Sequence, residues 1–128
     1  MNLYTYRARY RSNYDGDTVR LDIDLGFGVW LHNQSVRLLG IDCPELHGTD
    51  SAAGKLAQQA TAAMLTAAGQ EIVVQTYRDT HDKYGRWLAD IYFGVTVEAA
   101  LGELGEADRF NLAECLRAAG HVKGVVRG

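Results

Sequence analysis

One proline and two cysteines in 128 residues leave little room for several kinds of protein. Cys43 and Cys115 are too few for a disulfide framework, so a reducing, cytoplasmic setting is expected. No apolar run is long enough to cross a bilayer, and no membrane association is expected. The N-terminal stretch MNLYTYRARYRSNY has no apolar core followed by a small-residue cleavage site, so it does not read as a signal peptide. A single proline and 47% hydrophobic residues exclude a disordered chain. There is no basic excess either. The net charge of −3 does not announce nucleic-acid binding by bulk electrostatics. No internal repeat or linker is visible and no obligate protein partner is evident, so residues 1–128 are expected to form one domain.

Local patterns supply the elements. Tyr4, Tyr6, Ala8 and Tyr10 alternate with Thr5, Arg7, Arg9 and Arg11, the period of a half-buried strand. The sequence NYDGDT reads as a turn through its Asp-Gly pair. Val19, Leu21, Ile23 and Leu25 then alternate with charged residues as a second strand. After a loosening or turn at Gly26-Phe27-Gly28, residues 29–41 read as a third strand, with a break near His32-Asn33-Gln34. Residues 51–68 are the clearest helix, with Leu56, Ala60, Met64 and Ala67 on its apolar face, Asp50 or Ser51 as cap and Gly69 as terminator. Residues 71–77 and 86–93 read as strands, 111–119 as a short helix ending at Gly120, and 121–126 as a last short strand. Residues 94–109 fit either a helix or an insert. Three strands, a helix, two strands and a helix point to a small β-barrel with helices packed at its ends.

The stretch VRLLGIDCPELH, residues 36–47, begins as a core strand and then offers Asp42, Cys43, Pro44, Glu45 and His47. With Asp15 and Asp17 of the turn it supplies four carboxylates that can meet at one rim. Clustered carboxylates repel unless a cation neutralises them, and an oxygen-only set suits Ca²⁺ or Mg²⁺ rather than zinc. Pro44 holds Cys43 extended, which fixes the direction of its carbonyl, a good Ca²⁺ ligand. Arg37 on the incoming strand and Arg86 after the turn at 82–85 carry guanidinium forks matched to phosphate oxygens. A hard cation, two arginines and a spare carboxylate suit a phosphodiester hydrolase.

The motifs DGDT (15–18), VRLLGIDCPE (36–45) and DKYGRWLADIY (82–92), in that order with a helix between the second and third, resemble the staphylococcal (micrococcal) nuclease family. The resemblance runs from residue 4 through the helix at 111–119. It implies a mixed β+α fold, an OB-fold five-stranded β-barrel with two or three packed helices. It also implies a Ca²⁺-dependent nuclease acting on DNA and/or RNA, with Mg²⁺ the less favoured ion. Carried over residue by residue, Asp17, Asp42 and the Cys43 backbone carbonyl would be metal ligands. Glu45 would orient or deprotonate the attacking water. Arg37 and Arg86 would hold the phosphate, Asp15 would act from the second shell or through the turn, and Lys83 and Tyr84 would contact substrate. The chain departs from the prototype in carrying cysteine rather than threonine at 43, in a longer 94–109, in a shortened or missing third helix and in its acidic balance.

Blander assignments compete at each position. DGDT alone is an ordinary hairpin turn. Arg37 can be a structural partner of Asp42 or Glu45, and Arg86 a solvated strand residue. Cys43 and His47 have a zinc-like spacing, but no second Cys/His pair completes four ligands. No histidine is tied to Cys43 as the base of a nucleophile. Arg7, Arg9 and Arg11 read as a solvated face rather than a phosphate track. The rival function is a non-catalytic OB-fold module that binds nucleic acid or protein. A weaker third reading is a domain whose metal only stabilises the fold.

Overall fold

The computed structural model describes residues 4–69, 72–81, 84–94 and 111–123, with side chains at all of these except 78–81. Five strands close into a barrel: β1 (Thr5–Asn13), β2 (Thr18–Gly26), β3 (Val29–Leu38), β4 (Ile72–His81) and β5 (Trp87–Phe93), in the spatial order β1-β2-β3-β5-β4. Neighbours run antiparallel except β3 and β5, which pair parallel with Val36 opposite Trp87 and Leu38 opposite Ala89. That parallel pairing requires a crossover. The chain makes it through a 3₁₀ turn, Gly48–Asp50, helix α1 (Ser51–Ala68) and β4. Among the described residues the next helix, α2 (Leu112–Ala118), follows β5. This is the OB-fold topology, with two α-helices among the described residues.

The alternation read in the sequence sets the barrel interior. Ala8, Val19, Leu21, Val36, Leu38, Val74 and Ile91 are completely buried. The break expected in the third strand is a bulge. The β2–β3 register slips between Leu21 and Ile23, opposite His32 and Asn33, and Asn33 takes a φ of 56°. The strand itself ends at Leu38, and Gly40, at φ 82°, redirects the chain into the loop 39–46. Leu25, expected inside, is 43% exposed because it lies at the tip of the β2–β3 hairpin.

Helix α1 spans the expected residues, and of its expected face Ala60 and Met64 pack partly buried against the core, but the fully buried face is different. Gly54, Ala57, Thr61 and Leu65 form it, while Leu56 is 59% exposed and Ala67 points to solvent. The small residues face inward because two loops press onto the first half of the helix. A Cβ on Gly54 would come within 2.1 Å of the Glu45 carbonyl oxygen. Asp50 stands at the helix N-cap with no side-chain bond, and Gly69, at φ 63°, ends the helix. In α2 the Asn111 side chain accepts from the Glu114 N–H, a true N-cap, and Gly120 follows at φ 83°. Residues 121–123 are bend and coil rather than the strand expected there, because the chain leaves the sheet to meet the loop 39–46. Residues 95–110, 124–126 and Lys83 lie outside the described residues.

Candidate active site

Three segments meet at one rim of the barrel: the turn 14–18, the loop 39–46 and the start of β5. The turn is built locally. Asp15 Oδ1 accepts from the backbone N–H of Asp17 at 3.2 Å and of Thr18 at 2.9 Å, an Asx-type closure. Helix α1 then locks it. The Thr61 hydroxyl donates to the Gly16 carbonyl at 2.7 Å, and Gln58 Nε2 donates to the Tyr14 carbonyl at 3.0 Å. Gly16 is needed for the approach, since a Cβ there would meet Cys43 Sγ at 2.8 Å and Ala57 Cβ at 2.9 Å.

The turn therefore presents Asp17 inward, only 3% exposed. Its Oδ2 accepts from the Cys43 backbone N–H at 2.9 Å and from Arg37 Nη2 at 3.1 Å. The same Arg37 nitrogen donates to Asp42 Oδ1 at 3.0 Å. One guanidinium nitrogen thus bridges the two acids and holds them within the sum of those distances. Arg37 Nη1 also reaches the Ile41 carbonyl at 3.4 Å. Its ion-pair partners are Asp17 and Asp42, not Glu45.

Asp15, Asp17, Asp42 and Glu45 all line a cleft of about 490 Å³, together with Arg37, Arg86 and Tyr84. Arg86, just before β5, donates from Nη1 to the Thr18 hydroxyl at 3.2 Å, and its Cζ lies 5.1 Å from the centre of the Tyr84 ring. Thr18 and Arg37 are register partners across β2 and β3, so Thr18 stands beside both arginines.

The electrostatics follow from burial and crowding. Desolvation, then the neighbouring Asp15 carboxyl, push Asp17 up to about 6, against the pull of the Cys43 N–H and Arg37. Burial and the surrounding acids push the Cys43 thiol up to about 12. It stays protonated at neutral pH and is inert as a nucleophile. Cys43 is buried with its Sγ facing Gly16, whereas His47 is exposed with its Nε2 3.3 Å from the Tyr14 hydroxyl. Among the described residues no three His, Cys, Asp or Glu side chains form a ready-made metal group.

Residues 35–118 match the family described as staphylococcal nuclease homologue. The chain belongs to this family. No curated protein matches the chain. The matched span of the staphylococcal nuclease homologue begins inside β3, so Asp15, Asp17 and Thr18 lie outside it, and the barrel pairing carries them to the site.

Two residues of the cleft were missed by sequence reasoning. Thr18 had a signal, as the last residue of DGDT and the neighbour of Asp17. Lys123 had none. Its backbone N–H donates to the Asp42 carbonyl at 2.7 Å, and its ammonium lies 3.7 Å from Asp42 Oδ2 and 3.6 Å from Glu45 Oε1. The basic residues of β1 stay on the outer surface: Arg11 pairs with Asp22 at 3.1 Å, and Arg9 stacks on Trp30 at 4.3 Å.

Proposed function

We propose that this cleft hydrolyses phosphodiester bonds of DNA and/or RNA with Ca²⁺ as cofactor. One observation carries the reading: a single arginine bridges two carboxylates at a cleft that also holds a second arginine and a spare carboxylate. Asp17 is 3% exposed beside Asp15 and Asp42, and keeping a carboxylate buried among other acids costs stability, which supports a functional site there.

The donor set fits a hard cation. Asp17 and Asp42 supply carboxylate oxygens, and the Cys43 carbonyl and water would complete the shell. When bound, the ion supplies Lewis-acid polarisation of a phosphoryl oxygen. The cleft's charges agree with this. Four carboxylates stand against Arg37, Arg86 and Lys123, so a divalent cation would turn a slightly negative site into one that accepts a phosphodiester.

The side chains then divide the remaining work. Arg37 on β3 and Arg86 just before the adjacent β5 both line the cleft beside Thr18, and their forks would offset the charge that grows on the equatorial oxygens as water attacks. Arg37 has donors beyond those bound to the two acids, so it can hold both the acids and a phosphate. Glu45 is exposed at the cleft and can orient a water or take its proton. Tyr84, 71% exposed beside Arg86, and Lys83 would contact the nucleotide.

The test is incubation of the pure protein with single-stranded and duplex DNA and RNA, in Ca²⁺, in Mg²⁺ and in chelator. Cleavage in Ca²⁺ that chelator abolishes is the expected result. Binding without cleavage under every condition would instead identify a non-catalytic OB-fold module.

A further inference from the structure

Lys123 reaches the cleft from the far end of the described chain. The His121 N–H donates to the Leu116 carbonyl at 2.9 Å and closes α2, and the Lys123 N–H donates to the Asp42 carbonyl at 2.7 Å. The backbone bond places the residue against the loop 39–46 whatever its side chain does. The ammonium then sits between Asp42 and Glu45, at 3.7 and 3.6 Å, in ion-pair range but looser than a direct hydrogen bond. Both acid side chains are more than half exposed, at 61% and 69%. Among the described residues Lys123 is the only cation within ion-pair distance of Glu45.

We propose that Lys123 is a positioning residue that tethers Glu45 over the cleft and competes with the cation for Asp42. The inference rests on the nuclease reading above. Without the ammonium, Glu45, exposed and on a loop, loses the one nearby described cation that holds it over the cleft, and with it its preferred direction toward the attacking water. A misdirected base slows the chemical step without changing how substrate is held. The same ammonium adds a positive charge beside Asp42, so its presence weakens cation binding.

Lys123→Met keeps most of the stem and the backbone bond and removes the charge. With Ca²⁺ saturating, kcat on an oligonucleotide should fall roughly tenfold, a modest share of what a general base contributes, and by more than KM rises, while the melting midpoint measured without Ca²⁺ stays unchanged. In calorimetric titration without substrate, the Ca²⁺ dissociation constant should fall several-fold. Lys123→Arg should restore most of kcat and the weaker Ca²⁺ binding, because it restores the charge. Unchanged kcat in Lys123→Met, or unchanged or weaker Ca²⁺ binding, would overturn the assignment while leaving the nuclease reading intact. A wild type that cleaves nothing and binds no Ca²⁺ would overturn both.

Discussion

Two depressions of the barrel differ in almost everything except their strands. The polar cleft, about 490 Å³, is lined by acids and arginines. The other, about 370 Å³, opens at the barrel mouth among Tyr6, Ile23, Leu25, Leu31 and Trp87. Consecutive residues serve opposite depressions: Val36 the mouth and Arg37 the cleft, Arg86 the cleft and Trp87 the mouth. Strand alternation puts neighbours on opposite faces, so one strand end can feed both. What separates the depressions is the backing. Behind the cleft lie a hydrogen-bonded turn and a helix of small residues, which fix polar groups in place. The mouth has exposed aliphatic and aromatic side chains, and its hairpin ends in a fully exposed phenylalanine.

The sharpest test of that contrast is Arg37→Lys. If the cleft performs chemistry, lysine keeps the charge and loses the fork. Then kcat should fall roughly a hundredfold or more, as loss of one oriented donor does. The unfolding midpoint should change little. A structural ion pair predicts the reverse: reduced stability with near-normal turnover per folded molecule. Both quantities measured on one sample separate the two cases, and a near-wild-type kcat would remove Arg37 from the catalytic machinery.

A second test acts on the backing of the cleft. Gly54→Ala adds a methyl where the Glu45 carbonyl oxygen lies within 2.1 Å, and a backbone atom cannot rotate away as a side chain would. Overpacking of that kind costs about 3 kcal/mol at its upper range, against a helix-propensity gain of about 1 kcal/mol. Chemical denaturation should show a net loss of about 2 kcal/mol, and activity should fall beyond what stability explains, because Glu45 is displaced. A Gly54→Ala variant more stable than wild type would mean that helix and loop are not in contact.

How much of this was legible follows from the range of the interactions involved. The turn at Asp15-Gly16-Asp17, the alternating strands and the caps of α2 are short-range features, and the sequence displays them directly. The third strand's bulge was visible as the polar run His32-Asn33-Gln34. The face of α1 was only half legible: Ala60 and Met64 pack on the core as read, but amphipathic reasoning looks for large apolar residues and also chose Leu56. The helix turns small residues inward instead, to admit the backbones of Gly16 and Glu45. Lys123 was illegible for another reason. It reaches Asp42 through a path set by how α2 docks, and no local pattern encodes that. The four acids could be grouped from their motifs alone. That a single Arg37 nitrogen joins Asp17 to Asp42 required the structure.

Asp17 offers a pH test of smaller size. Its folded pKa of about 6 lies above the ordinary value of 3.8, so between those values the folded chain holds the proton that the unfolded chain has released. Stability from this group is therefore present below the unfolded pKa, declines as pH rises through the window, and is lost above about 6. Asp17→Asn should remove that slope and, without metal, match or exceed wild type at pH 7 by about 1 kcal/mol, after allowing for the lost Arg37 pair. Denaturation curves from pH 4 to 7 check the sign. If Asp17 ligates Ca²⁺ as proposed, the ion would displace the same proton, and Ca²⁺ affinity should weaken by up to about tenfold per pH unit below the Asp17 pKa.

The smallest effect belongs to the mouth. Gly26, Phe27 and Gly28 have φ of 83°, 55° and 74°, so the hairpin turns through three left-handed residues, one of them aromatic. An L residue with a Cβ is strained there by roughly 1–2 kcal/mol, whereas asparagine visits the region routinely. Phe27 is fully exposed and buries nothing in return. Phe27→Asn should therefore raise stability by about 0.5–1 kcal/mol, since only part of the strain differs between the two residues. If the chemistry belongs to the polar cleft alone, kcat and KM should stay at wild-type values. A rise in KM with kcat unchanged would show that the apolar end holds substrate too, through interactions common to ground and transition states. The strain at Phe27 would then be retained for binding, and the division between the two depressions would be one of binding against chemistry rather than of function against none.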